Sequence, residues 1–205
     1  MVSAHAEAPV EGSILLAGVV LKLATFGVMA ILLSLLWEGT RFAMCFSLSA
    51  GVFTLLMASL SLLQQLDLKC LVALSSVAHM GNGTLGLLSM TEEGIGGVLL
   101  LALSHGLVSP CLFLLVGGRL YSGFRTRSVY AYRGLTGVAP LLSTLLLTHL
   151  LANIAVPLSP NWIAELLILA GLSHDALILC SLSAFNIVAS AVYTLWLSSR
   201  ILLGP

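Results

Sequence analysis

Charge is what this chain has least of. Only 8% of its 205 residues are Asp, Glu, Lys or Arg, and 59% are hydrophobic; a soluble domain carries about 25% charged residues. That excludes a soluble fold and makes the chain an integral membrane protein. The formal net charge is zero, so no general electrostatic attraction to nucleic acid follows. The four cysteines, Cys45, Cys70, Cys111 and Cys180, are far apart and lie mostly within or beside apolar runs. With no CxxC and no Cys/His cluster at metal spacing, they read as small buried hydrophobes. There is no nucleophile–base pair, phosphate loop or dinucleotide motif. The run Gly81-Asn82-Gly83-Thr84-Leu85-Gly86 has the letters of one but lies inside a membrane span and follows no strand. The N-terminus up to Ser13 has Glu7 and Glu11 but no Lys or Arg, so it is neither a basic secretory start nor an Arg-rich transit peptide. A protein working in an organelle would then be made there or have lost its presequence already.

What is present is a series of apolar runs of membrane length. The expected fold is all-α and polytopic, a single membrane domain over 1–205. About six crossings are read, at 12–36, 42–63, 69–90, 94–118, 138–172 and 175–199. Most are about 20–25 residues, enough for a tilted span. The fifth is too long: a continuous helix of 35 residues reaches roughly 52 Å, against a hydrocarbon core of about 30 Å. Its middle reads Val156-Pro157-Leu158-Ser159-Pro160-Asn161. Two prolines remove two backbone donors and disfavour helix just before each. The expectation is one crossing built of two half-helices, broken at mid-membrane. Non-helical backbone at that depth is tolerated only inside protein or beside a wet cavity.

Six crossings put both termini on one side, with Arg119, Arg125, Arg127 and Arg133 in the 119–133 segment and with Asp67, Lys69 and Arg200. The other side holds Glu38, Arg41, Glu92, Glu93 and Asp175. The basic bias predicts that the termini and the Arg-rich segment face the matrix or cytoplasm. The four arginines read as a solvated or lipid-facing loop, Asp67 and Lys69 as a polar turn and helix start, and His174-Asp175 as the start of the last span.

Against this background four ionisable residues stand near the middle of separate spans: Lys22, His79, His105 and Glu165. A charge there costs roughly 2.5–3.5 kcal/mol on insertion scales, and four suggest a polar path for protons or small ions. Lys22 lies about 15 Å deep, too far in for its stem to snorkel easily, where an ammonium can gain and lose a proton. Pairing for packing reasons is the plainer reading. A neutral His both donates and accepts, which suits His79 and His105 to a relay; each could also be an interhelical hydrogen-bonder. Neither has an acidic or Cys residue at i+3 or i+4, so no metal site is read. Glu165 follows the Pro break by five residues, where the positive end of a half-helix favours a carboxylate, as relay group or as cap. For His149, on the first half of the broken span, relay and packing are about even.

These residues carry a resemblance. Ala4-His5-Ala6-Glu7-Ala8-Pro9, Gly12-Ser13, Leu16-Ala17-Gly18 and Leu21-Lys22-Leu23 are similar to a motif of the antiporter-like subunit 4 of respiratory complex I, NADH:ubiquinone oxidoreductase chain 4. So are Gln65-Leu66-Asp67-Leu68-Lys69, Leu74-Ser75-Ser76-Val77-Ala78-His79-Met80-Gly81, Ser104-His105-Gly106-Leu107 with Leu112-Phe113 and Leu120-Tyr121, and Ala164-Glu165-Leu166. The motifs run in the family's order over nearly the whole chain. Glu165 stands where the sister antiporter-like subunits carry Lys. Two positions depart from the pattern, Ala164 for a usual Gly and Leu74 for a usual Tyr or Phe. The resemblance starts just after the family's seventh helix, lacks the family's input pair of glutamate and lysine, and stops before the fourteenth. With Met1 as a plausible start, the expectation is a split subunit whose other half is a separate polypeptide.

By that resemblance the chain is a proton-translocating piece of the membrane arm. Lys22 is the central lysine, His79 and His105 the connecting relay and Glu165 the exit-side site. It holds no redox cofactor and does no redox chemistry; NAD, FMN, iron–sulfur clusters and ubiquinone belong to partner subunits. The implied partners are the other membrane-arm subunits, the companion polypeptide and lipids, with no nucleic acid. The implied location is the mitochondrial inner membrane, with bacterial plasma membrane or plastid membrane as alternatives. A part of a multisubunit Na+/H+ antiporter without electron transfer is the competing functional class; a fragment that only completes the membrane arm is a third.

Overall fold

The computed structural model describes residues 2–33, 37–175 and 177–203. The end of the first expected span, 34–36, and residue 176 of the last lie outside the described residues. So do the side chains of Glu38, Arg41, Cys45 and Asp175. Among the described residues the fold is helical, with an isolated antiparallel bridge between Asp67 and Ser128 and no strand.

A short helix α1 (Val2–Glu7) is followed by α2 (Val10–Leu15), which begins after Pro9. It runs through a π segment, Leu16–Val20, into α3 (Leu21–Gly27) and a second π segment, Val28–Leu33. Next come α4 (Trp37–Gln64) and α5 (Leu68–Leu88). The Asp67 carboxylate starts α5 by accepting from the backbone N–H of Lys69 and Cys70, the expected behaviour of an N-cap acid. In the same way Thr91 caps α6 (Glu92–Phe113) by accepting from Gly94 N–H. α6 continues through Leu114–Leu120, a π segment, into α7 (Tyr121–Phe124). α8 (Leu135–Val138), α9 (Pro140–Asn153), α10 (Pro160–Asp175) and α11 (Leu177–Leu202) complete the chain. Among the described residues five helices are long and apolar enough to cross a membrane: Val10–Ile31, Phe46–Gln64, Leu68–Leu88, Glu92–Phe124 and Leu177–Leu202. Pro140–Asn153 is a shorter apolar helix.

The chain is not helical between Asn153 and Pro160. Ala155 has φ 64°, its N–H bonds Ala152 O at 3.3 Å, and Val156 N–H bonds Leu151 O at 3.3 Å. That pair of bonds is a Schellman stop, with alanine in the left-handed position that glycine usually takes. Pro160 then fills the first position of α10, where its missing N–H costs nothing.

Three expectations need correction. The fourth run does not end at 118. The helix carries Arg119 and reaches Phe124, because the π segment takes Gly117 and Gly118 without a break. The four arginines are not simply a solvated loop. Arg127 donates to Ala6 O at 2.9 Å and lies 5.1 Å from the Tyr121 ring centre, while Arg119 is helical. His174 does not start the last span; it ends α10, with Nε2 3.1 Å from Glu93 Oε2 at the start of α6. Asp67 and Lys69 do form a helix start; Lys69 is in addition buried and donates to Ala8 O at 2.6 Å, so it ties α5 to the N-terminal segment.

Helix α6 is the post on which the interior is built. A side chain at Gly97 would place its Cβ 2.9 Å from Ala164 O on α10; at Gly106 it would meet Lys22 Cε at 3.4 Å and Gly18 O at 3.5 Å. Nine residues are about two and a half helical turns, so the two glycines open opposite faces of α6, one to α10 and one to the α2–α3 rod.

Candidate functional site

The four mid-span residues form one row. Lys22 follows the first π segment, donates to Ala17 O, and has Nζ 2.9 Å from His105 Nδ1 on α6. The His105 and His79 rings have centres 5.3 Å apart at 51°. His79 Nδ1 lies 3.1 Å from Glu165 Oε1 on α10, and both of these side chains are almost fully buried. The last contact is at ion-pair distance without hydrogen-bond alignment. The order across the protein is therefore Lys22, His105, His79, Glu165, supplied by α3, α6, α5 and α10.

A buried carboxylate is costly unless paired, and His79 supplies its pair. An ammonium only donates, so when Lys22 is charged His105 Nδ1 accepts and the imidazole proton sits on Nε2. His105 Nε2, His79 Nε2 and Glu165 Oε2 are buried without a protein hydrogen-bond partner. Buried polar atoms of this kind are satisfied by water, and water is also what a proton needs to pass between rings that share no hydrogen bond. Ser76 on α5 and Ser109 on α6 hydrogen bond at 3.0 Å and cross-link the two histidine-bearing helices.

His149 stands apart. Its Nδ1 lies 2.8 Å from Leu145 O on its own helix and 3.5 Å from Thr148 Oγ1. Its hydrogen bonds stay within α9, which favours the packing reading over the relay.

Asn82 and Ser104 lie near the two histidines in sequence, but their partners Ser183 and Asn161, and likewise Asn153, escaped the sequence reading as buried polar groups. Asn153 donates to Tyr193 Oη at 3.3 Å, Ser183 bonds Asn82 Oδ1, and Asn161 accepts from Ser104. One signal was available for the last helix. Ser183, Asn186, Ser190 and Thr194 recur at three- and four-residue steps and are all buried, so they share one face of α11. In a lipid-facing helix such a face turns inward.

Fold and site together define a polytopic α-helical membrane protein with an ionisable interior. The family described as NADH:quinone oxidoreductase/Mrp antiporter, transmembrane, matches residues 1–191, and the chain belongs to that family. It is 48% identical over 201 residues to NADH-ubiquinone oxidoreductase chain 4 of Mycosarcoma maydis, covering 98% of this chain and 42% of that protein. With chain 4 of Marchantia polymorpha it shares 41% identity over 98% of this chain and 40% of that one. Among solved structures, a chain of respiratory complex I from Thermus thermophilus with bound NADH superposes with TM-score 0.82 and 33% identity, over 88% of this chain and 38% of that chain. A chain of the Mrp complex from a Dietzia species superposes with TM-score 0.89 at 17% identity, over 100% of this chain and 38% of that one, and shows the fold alone. The chain spans about two fifths of the length of the curated relatives it matches.

Proposed function

We propose that this chain is a proton-translocating part of the membrane arm of an NADH:ubiquinone oxidoreductase, of the chain 4 kind, and that Lys22, His105, His79 and Glu165 carry the proton. The observation that carries this is the row itself: residues up to 143 positions apart in sequence meet in order inside an apolar fold, with contacts of 2.9 Å and 3.1 Å at its two ends.

The chemistry follows from the groups. Lys22 passes a proton to His105 Nδ1, and His105 releases one from Nε2 toward His79 through water. His79 Nδ1 then protonates Glu165. Two unit charges about 4 Å apart interact by about 4 kcal/mol at the effective dielectric of a protein, so a proton arriving at one member changes the affinity of the next. The redox chemistry lies elsewhere: NAD, FMN, iron–sulfur clusters and ubiquinone belong to partner subunits, and this chain supplies the proton path alone.

The partners are the other membrane-arm subunits and the helices that the relatives carry beyond the matched two fifths, expected from the sequence on a separate polypeptide. The location is the mitochondrial inner membrane, supported by the fungal and plant chain 4 relatives. The termini and the 119–133 segment face the matrix, supported by the clustering of basic residues there. The Na+/H+ antiporter alternative has weaker support, since the oxidoreductase relatives reach 48% identity while the Mrp likeness stands at 17%.

Glu165→Gln in the assembled complex is the test. It keeps shape and hydrogen bonding but cannot release a proton. Proton pumping should fall sharply while NADH oxidation by an artificial acceptor is unchanged. Normal pumping by that variant would leave Glu165 as a helix cap and remove the proposal.

A further inference from the structure

The chain has four asparagines, Asn82, Asn153, Asn161 and Asn186, and all are buried. Asn82 Nδ2, Asn153 Oδ1 and both ends of the Asn186 amide have no protein partner, whereas both ends of Asn161 are engaged. Its Oδ1 accepts from the Ser104 hydroxyl on α6, beside His105. Its Nδ2 donates to Ala152 O on α9 at 3.0 Å. One side chain thus joins three pieces: the helix carrying His105, the end of the first half-helix and the start of the second.

Asn161 lies four residues before Glu165, so the two share a face of α10. The chain leading into α10 is a poor guide to its rotation, for it passes through a helix stop and a second left-handed residue, Leu158 at φ 81°. The close approach of Gly97 to Ala164 fixes how near α10 comes to α6, but not how it is turned. A turn of one residue, about 100°, would carry the Glu165 carboxylate off His79.

We infer that Asn161 is a positioning residue: through Ser104 and Ala152 it sets the rotation of α10 that holds the Glu165 carboxylate against His79 Nδ1. Its role in proton transfer rests on the function proposed above; the geometric role does not. The two partners do not depend on Asn161 for satisfaction. The Ser104 hydroxyl also bonds Leu101 O at 3.3 Å, and Ala152 O also receives Ala155 N–H. Replacing Asn161 by Leu, of similar size, therefore leaves neither partner orphaned, and a residue serving stability alone would show little effect.

The experiment compares Asn161→Leu, Ser104→Ala and Glu165→Gln in the assembled complex. The readouts are native-gel assembly, pumping, NADH oxidation by an artificial acceptor, and the infrared carboxyl band that is lost in Glu165→Gln. Asn161→Leu should assemble with an unchanged thermal midpoint, shift the Glu165 band and lower pumping by about 10- to 100-fold, the scale of an ångström-size misplacement of reacting groups. Ser104→Ala, which keeps the Ala152 bond, should give a smaller shift of the same sign. An unmoved band in Asn161→Leu overturns the inference; should that variant fail to assemble, the band in Ser104→Ala decides in the same way. Normal pumping by Glu165→Gln would instead remove the proton role, and the band shift would still judge the positioning.

Discussion

The two halves of the buried row stand on helices of nearly equal length in opposite surroundings. Val10–Ile31, which carries Lys22, has 22 residues, and 6% of the residues in its most apolar 18-residue stretch are buried within this chain; Leu68–Leu88, which carries His79, has 21 residues, and 78% of the corresponding stretch is buried. The more apolar of the two is the less covered. In water the reverse would hold. In a bilayer lipid solvates the apolar faces, and protein must solvate the polar ones. Leu15, Val19, Leu23 and Phe26 accordingly point outward, while Ser75, Ser76, His79 and Asn82 point inward. Lys22 is half-buried and borders a groove of about 540 Å³ shared with Phe26, Leu103 and Leu107. The Glu165 end of the row is enclosed by this chain, and the Lys22 end is open on one side.

The sharpest way to break that arrangement is at the joint between the halves. A side chain at Gly106 meets Lys22 Cε and the Gly18 backbone, whereas one at Gly27 meets nothing within 4 Å. Gly106→Val should push α3 off α6 and part Lys22 from His105, lowering pumping by about 100-fold, with NADH oxidation by an artificial acceptor intact. Gly27→Val on the same rod should change little. Equal pumping by the two variants would mean that the Lys22–His105 contact does not carry protons.

The next effect belongs to the enclosed end. His79→Ala leaves Glu165 buried without a partner, and breaking a buried pair costs about 3–5 kcal/mol. The double variant His79→Ala/Glu165→Gln, which no longer buries an unpaired acid, should recover part of that loss. Thermal unfolding of the assembled complex checks both. A double variant no more stable than His79→Ala would show that the pair contributes packing and little charge.

These experiments rest on residues of different legibility. Lys22, His79, His105 and Glu165 stood out because each interrupts an apolar run, a contrast visible in one dimension. The helix break was equally plain, since a 35-residue helix would overshoot the membrane and Pro157 and Pro160 lie where α9 and α10 part. What was hidden is pairing. Nothing in the spacing tells that Lys69 reaches Ala8, that Arg127 reaches Ala6 or that Asn161 joins Ser104 to Ala152, because each contact spans helices whose order in space the sequence does not state. Asparagine and serine also cost too little in a membrane helix to stand out as lysine does. His149 shows the converse, an ionisable residue that the sequence leaves evenly between relay and packing and whose hydrogen bonds among the described residues stay within its own helix.

A smaller effect concerns how the open helix is anchored outside the membrane. His5 of α1 is buried, stacked on Phe113 with ring centres 4.9 Å apart. Burial, reinforced by the positive charge of Lys69, holds its imidazole below the ordinary value of 6.5. A histidine whose folded pKa is depressed contributes stability in full above its unfolded value, and that contribution shrinks as pH falls below it. Hydrogen-exchange protection of Val2–Glu7 should therefore be full above about pH 6.5 and decline on acidification. His5→Phe should keep the stack and remove the pH dependence. Protection independent of pH in the unsubstituted chain would show that the imidazole does not control the anchor.

The smallest effect lies in the break beside the enclosed end. Ala155 occupies the left-handed region at φ 64°, where an L residue with a Cβ pays roughly 1–2 kcal/mol. Glycine adopts that conformation without the steric cost but loses more freedom on folding. The net for Ala155→Gly is a gain of about 0.5–1 kcal/mol, and the stop at Asn153 should be unchanged because its two closing bonds use backbone atoms alone. Pumping should stay at the unsubstituted level, since Asn161 and Ala152 keep their contact. A raised thermal midpoint with unchanged pumping would locate the cost in the backbone turn, separate from the placing of Glu165. A fall in pumping would show instead that the stiffness of the break, which glycine relaxes, helps keep α10 turned toward His79, and that the clamp at Asn161 does not do so alone.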